Sequence, residues 1–293
     1  MTRSSAFPIL AALLLALLSG PAPAPAATGK VDLDDPAQRL EAYVRVNGDT
    51  SGKAVPQWAS GIVYAHVPGE KPRALFGLEV LGMGRFEKIE GGYLRLHREI
   101  GYYTDLKTGK VLDRWFNPWL QREVEVLPIQ NDPVNRRFTV ADSTFNVQVS
   151  GEDVVFFREV PLRYPNPLDR AKYPLHSSGD FYEAIEMFNT FARREDLANP
   201  ALTSVPSTGS WTRMGPWLPW MEMGLHPGFL LYHSRSLKPV DGLEGVPLAL
   251  RERIARDNPK YLEAPAKFTS PDETSWTFFK KLIDERRRKA DAR

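Results

Sequence analysis

The sequence predicts a mainly β fold with peripheral helices, an antiparallel sheet curled into a barrel-like shape or a sandwich. Three observations predict it. Between Ser60 and Val160, short strand-like segments are separated by turn signals at Pro68-Gly69, Gly91-Gly92, Asn117-Pro118, Asn131-Asp132-Pro133 and Gly151-Glu152-Asp153. Tyr93–Tyr103 alternates strictly, with Leu94, Leu96, Ile100 and Tyr102 on one face and Tyr93, Arg95, His97 and Glu99 on the other. No repeated βα unit is present, which argues against a doubly wound sheet.

Taken in order, Asp35-Pro36 opens a first helix, with Asp35 as N-cap and Pro36 at the first helical position, and Asn47-Gly48-Asp49 ends it. Strands are expected at Ser60–His66, at Leu75–Leu81 (cut off by Gly82 and Gly84) and at Tyr93–Tyr103. Others are expected at Lys110–Phe116, returning antiparallel after a Gly109 hairpin turn, and at Arg122–Ile129, Thr144–Val149 and Val154–Val160. Asp180–Leu197 reads as an amphipathic helix, because Phe181, Ile185, Phe188 and Ala192 fall on one stripe. The Trp-rich stretch beginning at Trp211 reads as two short strands, Pro219–Met223 and Phe229–His233. Leu248–Asp257 is a further helix. The last, Pro271–Lys289, is expected to open on a capping box formed by Ser270 to Glu273.

Composition bounds the function. Residues 1–26 read as a secretory signal peptide: Arg3 supplies the positive start, Ile9–Leu18 is too short an apolar run to span a bilayer, and Ala24-Pro25-Ala26 carries the small residues of a cleavage site. The expected location is periplasmic or secreted, with residues 27–293 as a single β-rich domain. The absence of Cys leaves such a chain to be held by its core alone. It also excludes thiol catalysis and thiolate metal sites. With 38 basic and 36 acidic residues there is no electrostatic footprint for nucleic acid. No dinucleotide fingerprint, phosphate loop or nucleophile elbow is present, and no cofactor is expected.

Candidate site residues come from four places. Glu222, His226 and His233 in the Trp-rich stretch form one acid–base candidate, with Trp211, Trp217 and Trp220 as ligand-contact surfaces. Turn chemistry is the plainer reading of each His. The polar face of Tyr93–Tyr103, with His97 at its centre, has two readings: a polar patch inside a small-molecule pocket, or a solvated face with cross-strand charge pairs. The apolar residues Leu94, Leu96, Ile100 and Tyr102 of the opposite face favour the second. Glu79 sits between Leu78 and Val80 and needs a partner, for which Arg114 or Arg122 is the candidate. Trp115, with Arg114, and Asn131-Asp132 lie at strand ends, where binding loops gather, although Asn, Asp and Pro there also serve turn geometry.

The runs SWTRMGPWLPWMEMG and HPGFLLYH at Ser210–His233, EVEVLPIQNDPVN at Glu123–Asn135 and ETSWTFF at Glu273–Phe279 resemble the DUF1838 family of bacterial and fungal proteins. The resemblance implies a single domain that often carries an export signal; it brings no activity and no catalytic residues. The strand meander is also similar to calycin-type barrels, an analogy of fold alone. Three readings of function remain open. The first is a binding module for a small hydrophobic or amphipathic molecule. The second is a cofactor-free isomerase, hydratase or hydrolase using Glu222 with His226 or His233. The third is a structural or interaction protein of the envelope. No nucleic acid is expected as partner, nor a membrane once the leader is cleaved, and the chain does not specify an oligomeric state.

Overall fold

The computed structural model describes residues 31–141 and 145–292. The expected leader therefore lies outside the described residues, as does the start of the strand expected from Thr144. Helix α1 (Pro36–Asn47) forms as read: Asp35 accepts from the backbone N–H of Ala37 at 2.7 Å and of Gln38 at 3.1 Å, and Leu40, Tyr43 and Val44 are buried. Such a cap is worth about 1 kcal/mol.

Twelve strands follow: β1 (Val55–His66), β2 (Arg73–Ile89), β3 (Gly92–Thr104), β4 (Arg114–Asn117), β5 (Arg122–Glu125), β6 (Ile129–Asn131), β7 (Arg136–Thr139), β8 (Asn146–Ser150), β9 (Asp153–Pro165), β10 (Phe181–Arg193), β11 (Ser207–Gly215) and β12 (Phe229–Lys238). Ten of them make one antiparallel sheet in the order β6-β3-β2-β1-β12-β11-β10-β9-β8, with β7 beside β6 on the edge of β3. The β1–β12 pairing joins an N-terminal meander to a C-terminal one. Strands β4 and β5 form a separate hairpin.

The sheet curls strongly. β3 and β9 stand six places apart, roughly 29 Å in a flat sheet at about 4.8 Å per step. Yet the Arg158 guanidinium of β9 lies 5.3 Å from the Phe138 ring of β7, which pairs with β3. Among the described residues no strand pairing joins β8 to β6 or β7, so the sheet is not a closed barrel. α1 fills one end: its Leu40, Tyr43 and Val44 pack with Phe86, Tyr93 and Phe138 from one side and Val154, Phe156 and Ala192 from the other. The other end is filled by Trp217, Leu218, Trp220 and Met221 against Phe76, Leu78, Tyr103, Leu230 and Tyr232. Outside, α3 (Leu248–Asp257) and the turn after it cover Leu81, Met83, Ile100 and Tyr102 with Leu250, Ile254 and Tyr261. A short α2 (Arg194–Ala198) follows β10, and α4 (Ser275–Asp291) closes the chain.

Several expectations are corrected. Phe181–Arg193 is a strand, not a helix; its full-length pairing with β9 and β11 overrides a helical stripe that four apolar residues happened to satisfy. β2 does not stop at Gly82 and Gly84 but runs through both. The return strand after the Gly109 turn is reduced to a bridge between Thr104 and Val111, and β6 and β7 take the edge of β3 instead. Pro219–Met221 is a 3-10 turn, not a strand; the expected strand Phe229–His233 forms as the start of β12, and β11 is the other strand of the Trp-rich stretch. α4 starts at Ser275, where the Thr274 N–H donates to Thr277 Oγ1 at 2.9 Å.

Candidate functional site

Strand register sorts the inner face residue by residue. On β3 it carries Tyr93, Arg95, His97, Glu99, Gly101 and Tyr103, because Tyr103 is opposite Leu78, Gly101 opposite Val80 and Glu99 opposite Gly82. The polar face of Tyr93–Tyr103 therefore points inward, and its apolar face is the one covered by α3 and the following turn. Continuing around the curl, Arg213 opposes Tyr232 and Glu186, while Trp211 opposes Ser234 and Phe188, itself paired with Arg158. Between the two apolar ends lies a polar belt of Gln57, Arg95, His97, Glu99, Arg158, Glu186 and Arg213. Small residues stand beside it at Ala59, Gly61, Gly82, Gly209 and Ser236. Several belt and wall residues, among them Ala59, Glu99, Arg158, Glu186, Phe188 and Trp211, are only partly buried despite facing inward. They line a recess.

The belt is held at defined points. Arg95 Nη2 donates to Gln57 Oε1 at 2.8 Å. Asn131 Nδ2 donates to Glu99 Oε1 at 2.7 Å, and Asn131 Oδ1 accepts from the Ser275 N–H at 2.7 Å, tying the start of α4 to the belt. Arg158 Nη1 donates to the Tyr43 hydroxyl at 3.2 Å. Arg213 Nη2 donates to the Tyr182 hydroxyl at 2.6 Å, and its guanidinium sits 4.9 Å from the Tyr232 ring and 5.5 Å from that of Trp276. Glycine makes this packing possible: a Cβ at Gly82 would stand 2.6 Å from His97 Nε2, and one at Gly215 would stand 2.6 Å from Arg213 Nη2.

Four inner-face nitrogens have no hydrogen-bond partner: Arg95 Nε, His97 Nε2, Trp211 Nε1 and Arg213 Nη1. Stranding a buried polar group of this kind costs about 1–3 kcal/mol. Among the described residues such atoms also occur at Trp276, beside Arg213, and away from the belt at Trp58, Asn135, His226, Thr274 and the Nε of Arg85, Arg98 and Arg253. The electrostatics link the four. Burial, reinforced by the charges of Arg95 and Arg158, keeps the His97 imidazole well below its ordinary pKa and therefore neutral. Burial pushes the Glu186 carboxyl up to about 7, against the pull of Arg213 and with Glu99 adding to the rise. Glu186 keeps 24 % of its side-chain surface accessible, and its nearest cation, Arg213 Nε, is 3.8 Å away, beyond hydrogen-bonding reach.

The sequence candidates are placed as follows. Glu222 has left-handed backbone (φ 58°) after the 3-10 turn and pairs with Arg122 at the surface. His226 lies beside Trp119 and Trp217, and its carbonyl accepts from Trp217 Nε1 at 2.9 Å. His233 is exposed on the outer face of β12, opposite Ile62. No hydrogen bond or ion pair joins these three among the described residues, so the structure does not assemble them. Trp217 and Trp220 lie inside the curl as core: Trp220 packs on Phe76, Tyr103 and Trp115. Trp211 carries a fully buried N–H without a partner on the inner face. Glu79 lies on the outer face between Ser60 and Tyr102, with its pKa raised by burial. Arg114 and Arg122, its expected partners, pair with Glu123 and Glu222 instead. Asp132 is outside, bound to Arg98 at 3.0 Å and Lys260 at 2.8 Å. His97 and Asn131 lie on the inner face, at the charged belt.

Sequence reasoning missed Arg158, Glu186 and Arg213. Glu186 was hidden by the helical reading of its strand. Its signal is the alternation Tyr182, Ala184, Glu186, Phe188, Thr190, Ala192, which is the inner face of β10. Arg158 stood unremarked within an expected strand.

The fold is that of a mainly β protein in which one open, curled antiparallel sheet encloses a charged belt between two apolar plugs. The chain belongs to the DUF1838 family: residues 52–283 match the family model, whose description is a protein of unknown function. No curated protein matches the chain. Among the described residues no helix is long and apolar enough to cross a membrane.

Proposed function

We propose that this chain is an exported small-molecule-binding protein whose ligand, an amphipathic acid, lies in the recess of the curled sheet. The observation that carries this reading is the set of unpartnered nitrogens on one inner face. Arg95 Nε, Trp211 Nε1 and Arg213 Nη1 are donors only, and they call for an acceptor-rich group. Arg95, Arg158 and Arg213 outnumber Glu99 and Glu186 within the belt, which favours an anion. Phe188, Val160, Leu162 and Ala59 offer apolar wall for its body. A few placed polar groups within apolar walls are the usual layout of a ligand site.

Calorimetric titration with phenylacetate and laurate, each against its neutral amide, tests this. The acids bind, the amides bind at least about tenfold more weakly, and Arg95→Gln reduces acid binding by a similar factor. Equal binding of acid and amide, or unchanged binding by Arg95→Gln, overturns the reading. An envelope protein with a purely structural role binds neither.

A further inference from the structure

We propose that the recess is a catalytic site for proton transfer at carbon, in which Glu186 is the general base for a carbonyl compound held through its oxygen by Arg213 and Trp211. The inference rests on the ligand reading above and deepens it.

The two belt carboxylates differ in a way that binding alone does not require. Glu99 is fixed by Asn131, which is fixed in turn by Ser275. Glu186 accepts no hydrogen bond among the described residues and remains partly accessible in the recess. A carboxylate that is desolvated, unpinned and open to a ligand is a base without a competing partner. Arg213 lies one strand away, opposite Glu186 in register, and Trp211 is the next inner-face residue along β11. The Arg213 Nη1–H and Trp211 Nε1–H are buried donors with no protein acceptor, the kind of group that stabilises an oxyanion once a substrate is seated. Tyr182, Tyr232 and Trp276 surround the guanidinium and keep it from reorganising.

The step balances within the site. The Glu186 carboxylate takes a proton from the carbon beside the carbonyl, and the C–H electron pair moves to make the C=C bond of an enolate. The carbonyl π pair moves to oxygen, which accepts from Arg213 and Trp211. The Glu186 carboxylic acid then returns the proton, to the same carbon on either face or to the far end of a conjugated system. The net reaction is epimerisation or double-bond migration, with no oxidant, reductant or co-reactant. The substrate class is an oxo acid with an acidic C–H beside its carbonyl. The groups that face Glu186 and set its titration are Arg213, Glu99 and Arg158, with neutral His97 beyond them.

Phenylpyruvate is the probe, since it combines an aryl body, a carboxylate, a ketone and an acidic CH2. Its CH2 proton signal is followed by NMR in D2O with the full chain, and its binding by calorimetry. The wild-type protein accelerates exchange about a hundredfold or more over buffer. The rate rises with pH to a plateau, with its midpoint at the Glu186 titration. Glu186→Gln keeps the wild-type circular dichroism and binds phenylpyruvate but exchanges at the buffer rate, and Glu186→Asp restores part of the acceleration. Binding with exchange no faster than buffer overturns the catalytic inference and leaves the ligand reading standing. Absence of phenylpyruvate binding overturns the inference at its first step, and binding of phenylacetate in the same instrument then shows that the ligand reading survives.

Discussion

Two sets of buried cations in this fold have opposite circumstances. At the C-terminal end of α1, Arg45 donates Nε to Leu202 O at 2.7 Å, Nη1 to Leu197 O at 2.8 Å and Nη2 to Asn199 O at 2.6 Å. Beside it, Lys238 Nζ reaches Arg45 O at 2.6 Å, Gly48 O at 3.2 Å and Ser204 Oγ at 3.0 Å. Burial pushes Lys238 down to about 7, but three acceptors around one nitrogen call for three N–H donors and hold it as ammonium. On the inner face, Arg95 and Arg213 are similarly enclosed yet each keeps a nitrogen without a partner. The cations at the helix end have an acceptor for every nitrogen. Those on the inner face do not.

The contrast is broken or sharpened by substitution, and the largest effect falls on the staple. Arg45→Met leaves the carbonyls of Leu197, Asn199 and Leu202 without their donor and lowers stability by about 3 kcal/mol or more, read from urea unfolding. Gly82→Ala drives a Cβ against His97 and costs about 1–3 kcal/mol, with loss of acid binding in the same sample. Arg95→Met behaves oppositely to Arg45→Met: it removes an unsatisfied donor along with the bond to Gln57, so stability changes by less than about 1 kcal/mol while acid binding is lost. A destabilisation equal to that of Arg45→Met collapses the distinction.

Glu186 adds a pH-dependent arm. Its folded pKa of about 7 lies above the ordinary carboxyl value of 4.5, so the folded state holds the proton more tightly than the unfolded chain. Stability contributed by this group is present at low pH and is lost as pH rises from 4.5 through about 7. Glu186→Gln does not titrate, so its Tm relative to wild type climbs across that window and levels off above it. A difference that stays flat with pH contradicts the burial of this carboxyl. The smallest effects belong to the Trp-rich stretch: Glu222→Gln and His233→Ala shift stability by no more than about 0.5 kcal/mol and leave acid binding unchanged.

How much of this was legible in the sequence depends on how each residue's face is decided. The alternation in Tyr93–Tyr103 was plain, and only its direction was misjudged. An apolar strand face was expected to mark the interior, whereas here a helix and turn far along the chain, from Leu248 to Leu262, cover it from outside. Nothing local in β3 announces that cover. Gly82 and Gly84 read as strand breakers because local rules give glycine that role; their actual use, making room for His97, is visible only across a register. Glu186 was lost because Phe181, Ile185, Phe188 and Ala192 fit a helical stripe as well as a strand, and partners on both sides decided the matter. The Trp-rich stretch was correctly seen as interior, but density of aromatics marks packing as readily as binding. Trp220, wedged among Phe76, Tyr103 and Trp115, belongs to the former.

Trp211 and Trp217 together offer the most direct test. Trp217 Nε1 already donates to His226 O, whereas Trp211 Nε1 has no acceptor. In a 15N–1H spectrum with indole resonances assigned through Trp211→Phe and Trp217→Phe, phenylacetate is titrated into the protein. The Trp211 Nε1–H resonance moves downfield and saturates at the calorimetric Kd, while that of Trp217 stays in place. A Trp211 resonance that ignores a bound acid, or one that moves no further than that of Trp217, contradicts the assignment of the recess as the ligand site.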